Sequence, residues 1–262
     1  ASCRLGSCHI TKTGENLRKE VGETPEEQKM LREQECGLGS LISKDAQIQL
    51  RKKKFPFKCK AHFEKDKEKK EDITKEAKEA FSSSTPVELK TRKIIDFSNK
   101  VYVAPLTTVG NLPFRRVMKK FGADITCGEM AVGTCLLEGK QSEWALLKRH
   151  PEEDIFGIQI AAAHPDQFTR VSELVEQFAD PDFVDLNLGC PLDLICNKGA
   201  GAALMMREKK LKGALEGITS TLSCPVTIKM RTGWDMNDPF AHKLVGHIQS
   251  WGIDGIGAVM IH

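Results

Sequence analysis

The stretch FVDLNLGCPLDLICNKGAGAALM, residues 183–205, decides how the rest of the chain is read. It opens as a short apolar run in which Asp185 and Asn187 recur at period 2, the pattern of a buried strand in a parallel sheet. Gly189-Cys190-Pro191 stops that strand abruptly, and Gly199 and Gly201 open a flexible loop before an Ala/Leu/Met run. A polar amide and a thiol therefore reach the C-terminal end of a strand, the edge where α/β enzymes place their chemistry. Taken alone, Cys190 also reads as an ordinary buried thiol, since free cysteine is among the most buried residue types.

Outward from this stretch, apolar runs lie at 101–106 (VYVAPL), 123–127 (ADITC), 156–162 (FGIQIAA), 183–188 (FVDLNL), 225–230 (PVTIKM) and 256–261 (IGAVMI). Helical candidates stand between them: LPFRRVMKKFG, PDQFTRVSELVEQFA, EKKLKGALEGITSTL and DPFAHKLVGHIQSWG. Alternation of strand and helix predicts an α/β fold with a parallel sheet wrapped by helices.

The N-terminal third differs in composition. The first hundred residues hold 23 Lys and Arg against 17 Asp and Glu, whereas the remaining 162 hold 16 against 19. A basic arm on a near-neutral body suggests a polyanionic partner, although a charged segment can also be merely solvated. RKKKFPFKCK, 51–60, sets Phe55 and Phe57 among cations, as phosphate-contacting segments do. ETPEEQKMLREQE carries a helix start at Thr24-Pro25, KDKEKKEDITKEAKEA is a solvated helix or linker, and SSSTP is a linker. The boundary falls near residue 94: a basic extension over 1–94, a barrel domain over 95–262.

Nine cysteines are scattered without framework spacing, and no signal peptide or long apolar run is visible. These features predict an intracellular protein, in cytoplasm or nucleus, with no membrane span. Cys3, Cys8 and His9 supply three metal ligands with two of them adjacent, so no zinc site is expected. The start at Ala1 rather than Met predicts a fragment of a longer protein.

D-x-N-x-G-C-P followed by the Gly-Ala loop resembles the active-site segment of the tRNA-dihydrouridine synthases. So, in order, do VAPLTTVGNLPFRRVMKKFGAD, GEM, FGIQIAA and PVTIKMRTGW, and the likeness covers about residues 95–262. The basic run upstream resembles the extension of the eukaryotic subtype-3 branch, which acts on uridine 47 in the tRNA variable loop. The resemblance implies a TIM barrel, FMN and NADPH as cofactors, tRNA as substrate, and a monomer; messenger RNA is a further candidate partner. In that family NADPH reduces FMN, hydride passes from flavin N5 to uracil C6, and a cysteine protonates C5.

Cys190 matches that cysteine; a thiol is mostly protonated at neutral pH and serves as a general acid once placed. Cys196 is the rival in the same segment but lies outside the G-C-P match and is read as structural or incidental. Lys229 takes the position of the flavin-contacting lysine, where a cation stabilises reduced flavin. Gln159 takes that of the flavin glutamine, and His262 that of the sixth-strand histidine. Ala104, Pro105 and Leu106, with Thr107, match the first-strand segment that approaches the flavin ring. Asn187 and Arg231 are the substrate-binding candidates, and Glu129 sits on the same barrel face. His164, His242 and His247 receive no role.

A complete barrel has eight strands. Six are counted here, so an unfinished barrel is expected, without the late loops that hold the cofactor phosphate. On that count the chain alone is expected to bind FMN weakly and to reduce no tRNA. Two other readings stand beside the reductase: a noncatalytic RNA-binding or scaffold isoform, and an FMN barrel of the dihydroorotate dehydrogenase kind.

Overall fold

Period-2 patterning and helical patterning alternate along the chain, and each yields the element it predicts. The computed structural model describes residues 41–59, 92–235 and 237–262. Within them the elements run α1 (Lys44–Arg51), β1 (Tyr102–Val103), α2 (Leu112–Lys120), β2 (Ile125–Cys127), β3 (Ala131–Val132), α3 (Gly133–Leu137) and α4 (Gln141–Trp144). Then come β4 (Ile155–Ala161), α5 (Pro165–Phe178), β5 (Phe183–Leu188), α6 (Asp193–Cys196), α7 (Ala202–Met205), α8 (Glu208–Thr221), β6 (Val226–Met230), α9 (Ala241–Ser250) and β7 (Ile256–Ile261). All six expected strands form. The first is shorter than its apolar run, because Pro105 lacks the N–H that a ladder needs.

The sheet order is β1-β2-β4-β5-β6-β7, with β3 pairing beside β2 on β4, and every pair is parallel. This is a curled, part-closed TIM-type barrel with its helices outside, as expected. Among the strands of the described residues only β3, two residues long, is additional. Among the described residues no helix is long and apolar enough to cross a membrane, and no cluster of metal-ligating side chains forms.

Alternation divides each central strand between two cores. Phe156, Ile158 and Ile160 of β4, Val184, Leu186 and Leu188 of β5, and Val226, Ile228 and Met230 of β6 face the helices. There they meet Phe168, Val171, Leu174 and Val175 of α5, Leu211, Leu215 and Ile218 of α8, and Leu244 and Ile248 of α9. The opposite face makes the barrel interior, where Ile125, Cys127 and Phe183 form a separate cluster with Phe97, Tyr102 and Ile155. Above that plug the interior turns polar, and this change of lining creates the site.

Arg115 of α2 is buried against the outer face. Its Nε donates to Glu153 Oε1 at 2.7 Å, its Nη2 donates to the Lys148 carbonyl at 2.7 Å, and its guanidinium lies 4.9 Å from the Phe156 ring centre. Glu153 also accepts from the Thr126 hydroxyl at 2.6 Å and the His150 N–H at 2.7 Å.

Residues 41–59, inside the segment read as a basic extension, share the outer core. Ala46 and Leu50 of α1, and Ile42 just before its N-cap, recur every four residues and are buried with Phe55. The Phe55 and Phe57 rings pack 4.8 Å apart with their planes tilted by 56°, Phe55 meets Phe178, and Arg170 lies over Phe57. The Glu173 carboxylate accepts from the main-chain N–H of Lys58 at 2.8 Å and of Cys59 at 3.0 Å. The compositional boundary near 94 therefore does not coincide with a packing boundary. The readings made for Cys3, Cys8 and His9, for the Thr24-Pro25 helix, for Lys60 and for the linkers at 65–80 and 82–86 lie outside the described residues.

Candidate active site

Three neighbouring strands carry a polar ladder into the barrel interior. Register places Gln159 opposite Asp185 and Asp185 opposite Thr227; two residues on, Asn187 stands opposite Lys229. Side chains two apart on a strand share a face, so all five point inward. Gln159 Nε2 donates to Asp185 Oδ2 at 2.7 Å, and the Thr227 hydroxyl donates to Asp185 Oδ1 at 2.6 Å. Asn187 Nδ2 donates to Gln159 Oε1 at 2.9 Å. Asn187 Oδ1 then accepts from the main-chain N–H groups of Gly189 (3.2 Å) and Cys190 (3.0 Å), bending the chain at the strand end.

Burial pushes the Asp185 carboxyl up to about 6, while hydrogen bonds from Thr227 and Gln159 and the charge of Lys229 pull the other way. Lys229 is half-buried; desolvation lowers its pKa, and Asp185 opposes the shift. No hydrogen bond or ion pair to its ammonium forms among the described residues.

Cys190 is half-buried beside an apolar wall of Met130, Ala161, Ala163, Ile195 and Ala200. Its carbonyl accepts from the Ala202 N–H at 3.0 Å and from the Cys196 thiol at 3.2 Å. Cys196 is thus spent on holding the loop, in keeping with its structural reading. Gly201 lies at φ +58°, and a Cβ there would come within 2.6 Å of the Cys190 carbonyl oxygen. Only glycine lets the two strands of this loop close over each other.

Arg231 and His262 complete the rim. A Cβ built on Gly189 would lie 3.3 Å from His262 Cε1 and 3.6 Å from Arg231 Cγ, so both flank the turn that presents Cys190. The His262 N–H donates to the Met230 carbonyl at 3.1 Å, which fixes it at the end of β7. Ala104, Pro105 and Leu106 follow β1 on the same edge, two strands away from β4, with Ala104 and Leu106 exposed. Their loop is tied down where the Thr108 N–H donates to Glu129 Oε2 at 2.6 Å, Thr108 adopting φ +68°.

The structure therefore brings Gln159, Asn187, Cys190, Lys229, Arg231 and His262 to one edge. It adds Asp185 and Thr227, to which the sequence reading gave no role. A charge inside an otherwise apolar strand was the signal for Asp185, since such a group must be held by partners; Thr227 carried none. His164, His242 and His247 stay outside this cluster. An amide-rich, cation-bearing cradle with one presented thiol suits a flat, carbonyl-bearing ring system and a proton transfer to it.

Comparison with known proteins agrees. The family profile described as Dihydrouridine synthase (Dus) matches residues 102–262. Relatives called "tRNA-dihydrouridine(47) synthase [NAD(P)(+)]-like" include one from Xenopus tropicalis, 55% identical over 162 residues that cover 62% of this chain and 25% of the relative. The Homo sapiens relative is 52% identical over the same shares of each chain. That of Xenopus laevis is 42% identical over 275 residues, covering 96% of this chain and 42% of its own. The chain thus spans between a quarter and about two fifths of the curated relatives it matches. With the matched region running from β1 to the last residue and enclosing every residue of the cradle, the chain belongs to the dihydrouridine synthase family.

Proposed function

We propose that this chain carries the proton-donating half of a flavin-dependent tRNA-uridine reductase, acting in the variable loop on uridine 47, the position its relatives' names carry. The observation behind this reading is the presentation of Cys190 beside the Lys229–Asn187–Gln159 ladder. The residues present fit FMN: Lys229 offers a half-buried cation, and Gln159 and Asn187 each keep one N–H beyond the bonds already described. Lys229, Gln159 and His262, with the Ala104–Pro105–Leu106 segment, hold the cofactor. Arg231 and the remaining Asn187 N–H hold uracil.

When bound, FMN would supply the hydride that C6 of uracil needs, with NADPH as the source of its electrons. Cys190 supplies the proton to C5 from the other face and recovers it from solvent, so the C5=C6 bond gains one hydride and one proton. The turn held by Asn187 keeps the thiol in place through that transfer, and the apolar wall behind it limits water. Exposed Arg51 to Lys54 and Lys58 contact the RNA phosphates, and messenger RNA is a second RNA partner on the same charge argument. The protein works as a monomer in cytoplasm or nucleus.

The test is Cys190→Ala in a version extended to the length of the relatives, with tRNA, FMN and NADPH present. Dihydrouridine formation should fall by about 10²- to 10⁴-fold while flavin content and NADPH oxidation persist. Cys196→Ala is the comparison and should retain most of the activity. Full turnover by Cys190→Ala would remove the assignment, and no dihydrouridine from the unsubstituted protein would favour a noncatalytic RNA-binding role.

A further inference from the structure

We propose that Asp185 is a positioning residue for Cys190, acting through Gln159 and Asn187. The argument is one of direction. A carboxamide alone is nearly symmetric and can turn its oxygen and nitrogen either way in a network. An ionised carboxylate cannot, because it only accepts. Asp185 is fully buried and takes Gln159 Nε2 at 2.7 Å, so the Gln159 amide must face it nitrogen-first. Gln159 Oε1 is then the atom left for Asn187, which must in turn present Nδ2, at 2.9 Å. Asn187 Oδ1 is thereby aimed at the N–H groups of Gly189 and Cys190, the two bonds that shape the turn carrying the thiol. Reversal at any step would set donor against donor at that turn. Thr227 differs from the rest: its hydroxyl donates to Asp185 at 2.6 Å but can equally accept, so it does not set the direction.

The same ordering fixes what the cradle has left to offer. Both spare amide hydrogens are donors, beside the donors Lys229 and Arg231. Of these, the Asn187 and Arg231 donors that the proposed function gives to the base suit the carbonyl oxygens of uracil and mismatch the exocyclic amine of cytosine. That last consequence rests on the uridine-reducing reading; the positioning role does not.

Amide hydrogen exchange at Gly189 and Cys190 in the ¹⁵N-labelled 262-residue chain tests the role without flavin or RNA, so its failure is separable from failure of the proposed function. Asp185→Leu should speed exchange at these two amides by about tenfold or more, with the Ile158 and Ile228 amides near their original rates. Asp185→Asn should stay close to the original, because its oxygen can face Gln159 while its amide donates to Thr227. Thr227→Val alone should also change little. Asp185→Asn combined with Thr227→Val still leaves the Asn oxygen to accept from Gln159 and should likewise stay close to the original. Original protection in Asp185→Leu overturns the proposal, as does fast exchange in Thr227→Val alone. Should Asp185→Leu fail to fold, Gln159→Leu breaks the same chain one step on, and original protection at Gly189 and Cys190 there overturns the proposal as well.

Discussion

Asp185 carries a carboxylate into the middle of the sheet, and its ionisation there has a thermodynamic signature. The group is raised from 3.8 to about 6, so between those values the folded chain holds a proton that the unfolded chain has lost. Stability from this residue is therefore fully present below about pH 4 and declines as pH rises through 6, by about 3 kcal/mol in all. Urea unfolding of the original and of Asp185→Asn across pH 4–7 should show the original losing ground over that window, and parallel curves would contradict the burial argument. At this scale the sequence was informative wherever a residue's neighbours along the chain determine its place. Cys190 beside Gly189 and Pro191 was legible, and so was Lys229 in an apolar strand. The partnership of Asp185 with Gln159 and Thr227 was not, because it depends on register between strands 26 and 42 residues apart.

Elements are pinned by contacts of equally different kinds. Inside the barrel a methyl on Gly157 would land within the Phe183 ring. Gly157→Ala should cost about 1–3 kcal/mol by overpacking, and adding Phe183→Leu should recover part of that loss in thermal unfolding. Outside, the Arg115–Glu153 pair ties α2 to the loop before β4. Arg115→Leu leaves Glu153 buried without its cation and should cost about 3–5 kcal/mol, whereas Arg115→Leu with Glu153→Leu should be milder. Strands β4 to β7 and the four long helices were legible because each is long enough to show its own period, whereas β1 and β2 were read from apolar runs longer than the strands they form. Two-residue β3 and four-residue α6 and α7 show none; they exist because their neighbours hold them. Charge around α1 masked its stripe of Ile42, Ala46 and Leu50, although the four-residue spacing was there to read.

For the whole molecule, docking of residues 41–59 turns a basic tract into a fixed feature of the barrel's outside. Arg51, Lys52, Lys53, Lys54 and Lys58 are all exposed, while Phe55 between them is buried. If the proposed function holds, replacing these five by Gln should weaken tRNA binding about equally across sequences. The salt slope should become shallower by about one for each phosphate left without its cation. Flavin content should not change. An unaltered slope in filter binding at graded salt would show that the cations face solvent only. Phe55→Ala should instead lower stability by about 3–5 kcal/mol, and its RNA affinity should fall only if anchoring the tract is needed for binding.

That anchoring also sets a schedule. Along the sheet, spatial order nearly repeats chain order, so each strand leaving the ribosome finds its neighbour already laid down. The clasp of α1, Phe55 and Phe57 is the exception. It is made before β1, yet its receiving surface, Arg170, Glu173 and Phe178, lies more than a hundred residues downstream. At about 5–20 residues per second, two aromatic rings flanked by lysines wait for on the order of ten seconds with nothing to dock against. Nascent chains paused in that interval should be the ones most readily cut by protease beside Phe55 and Phe57, and protection should follow completion of α5.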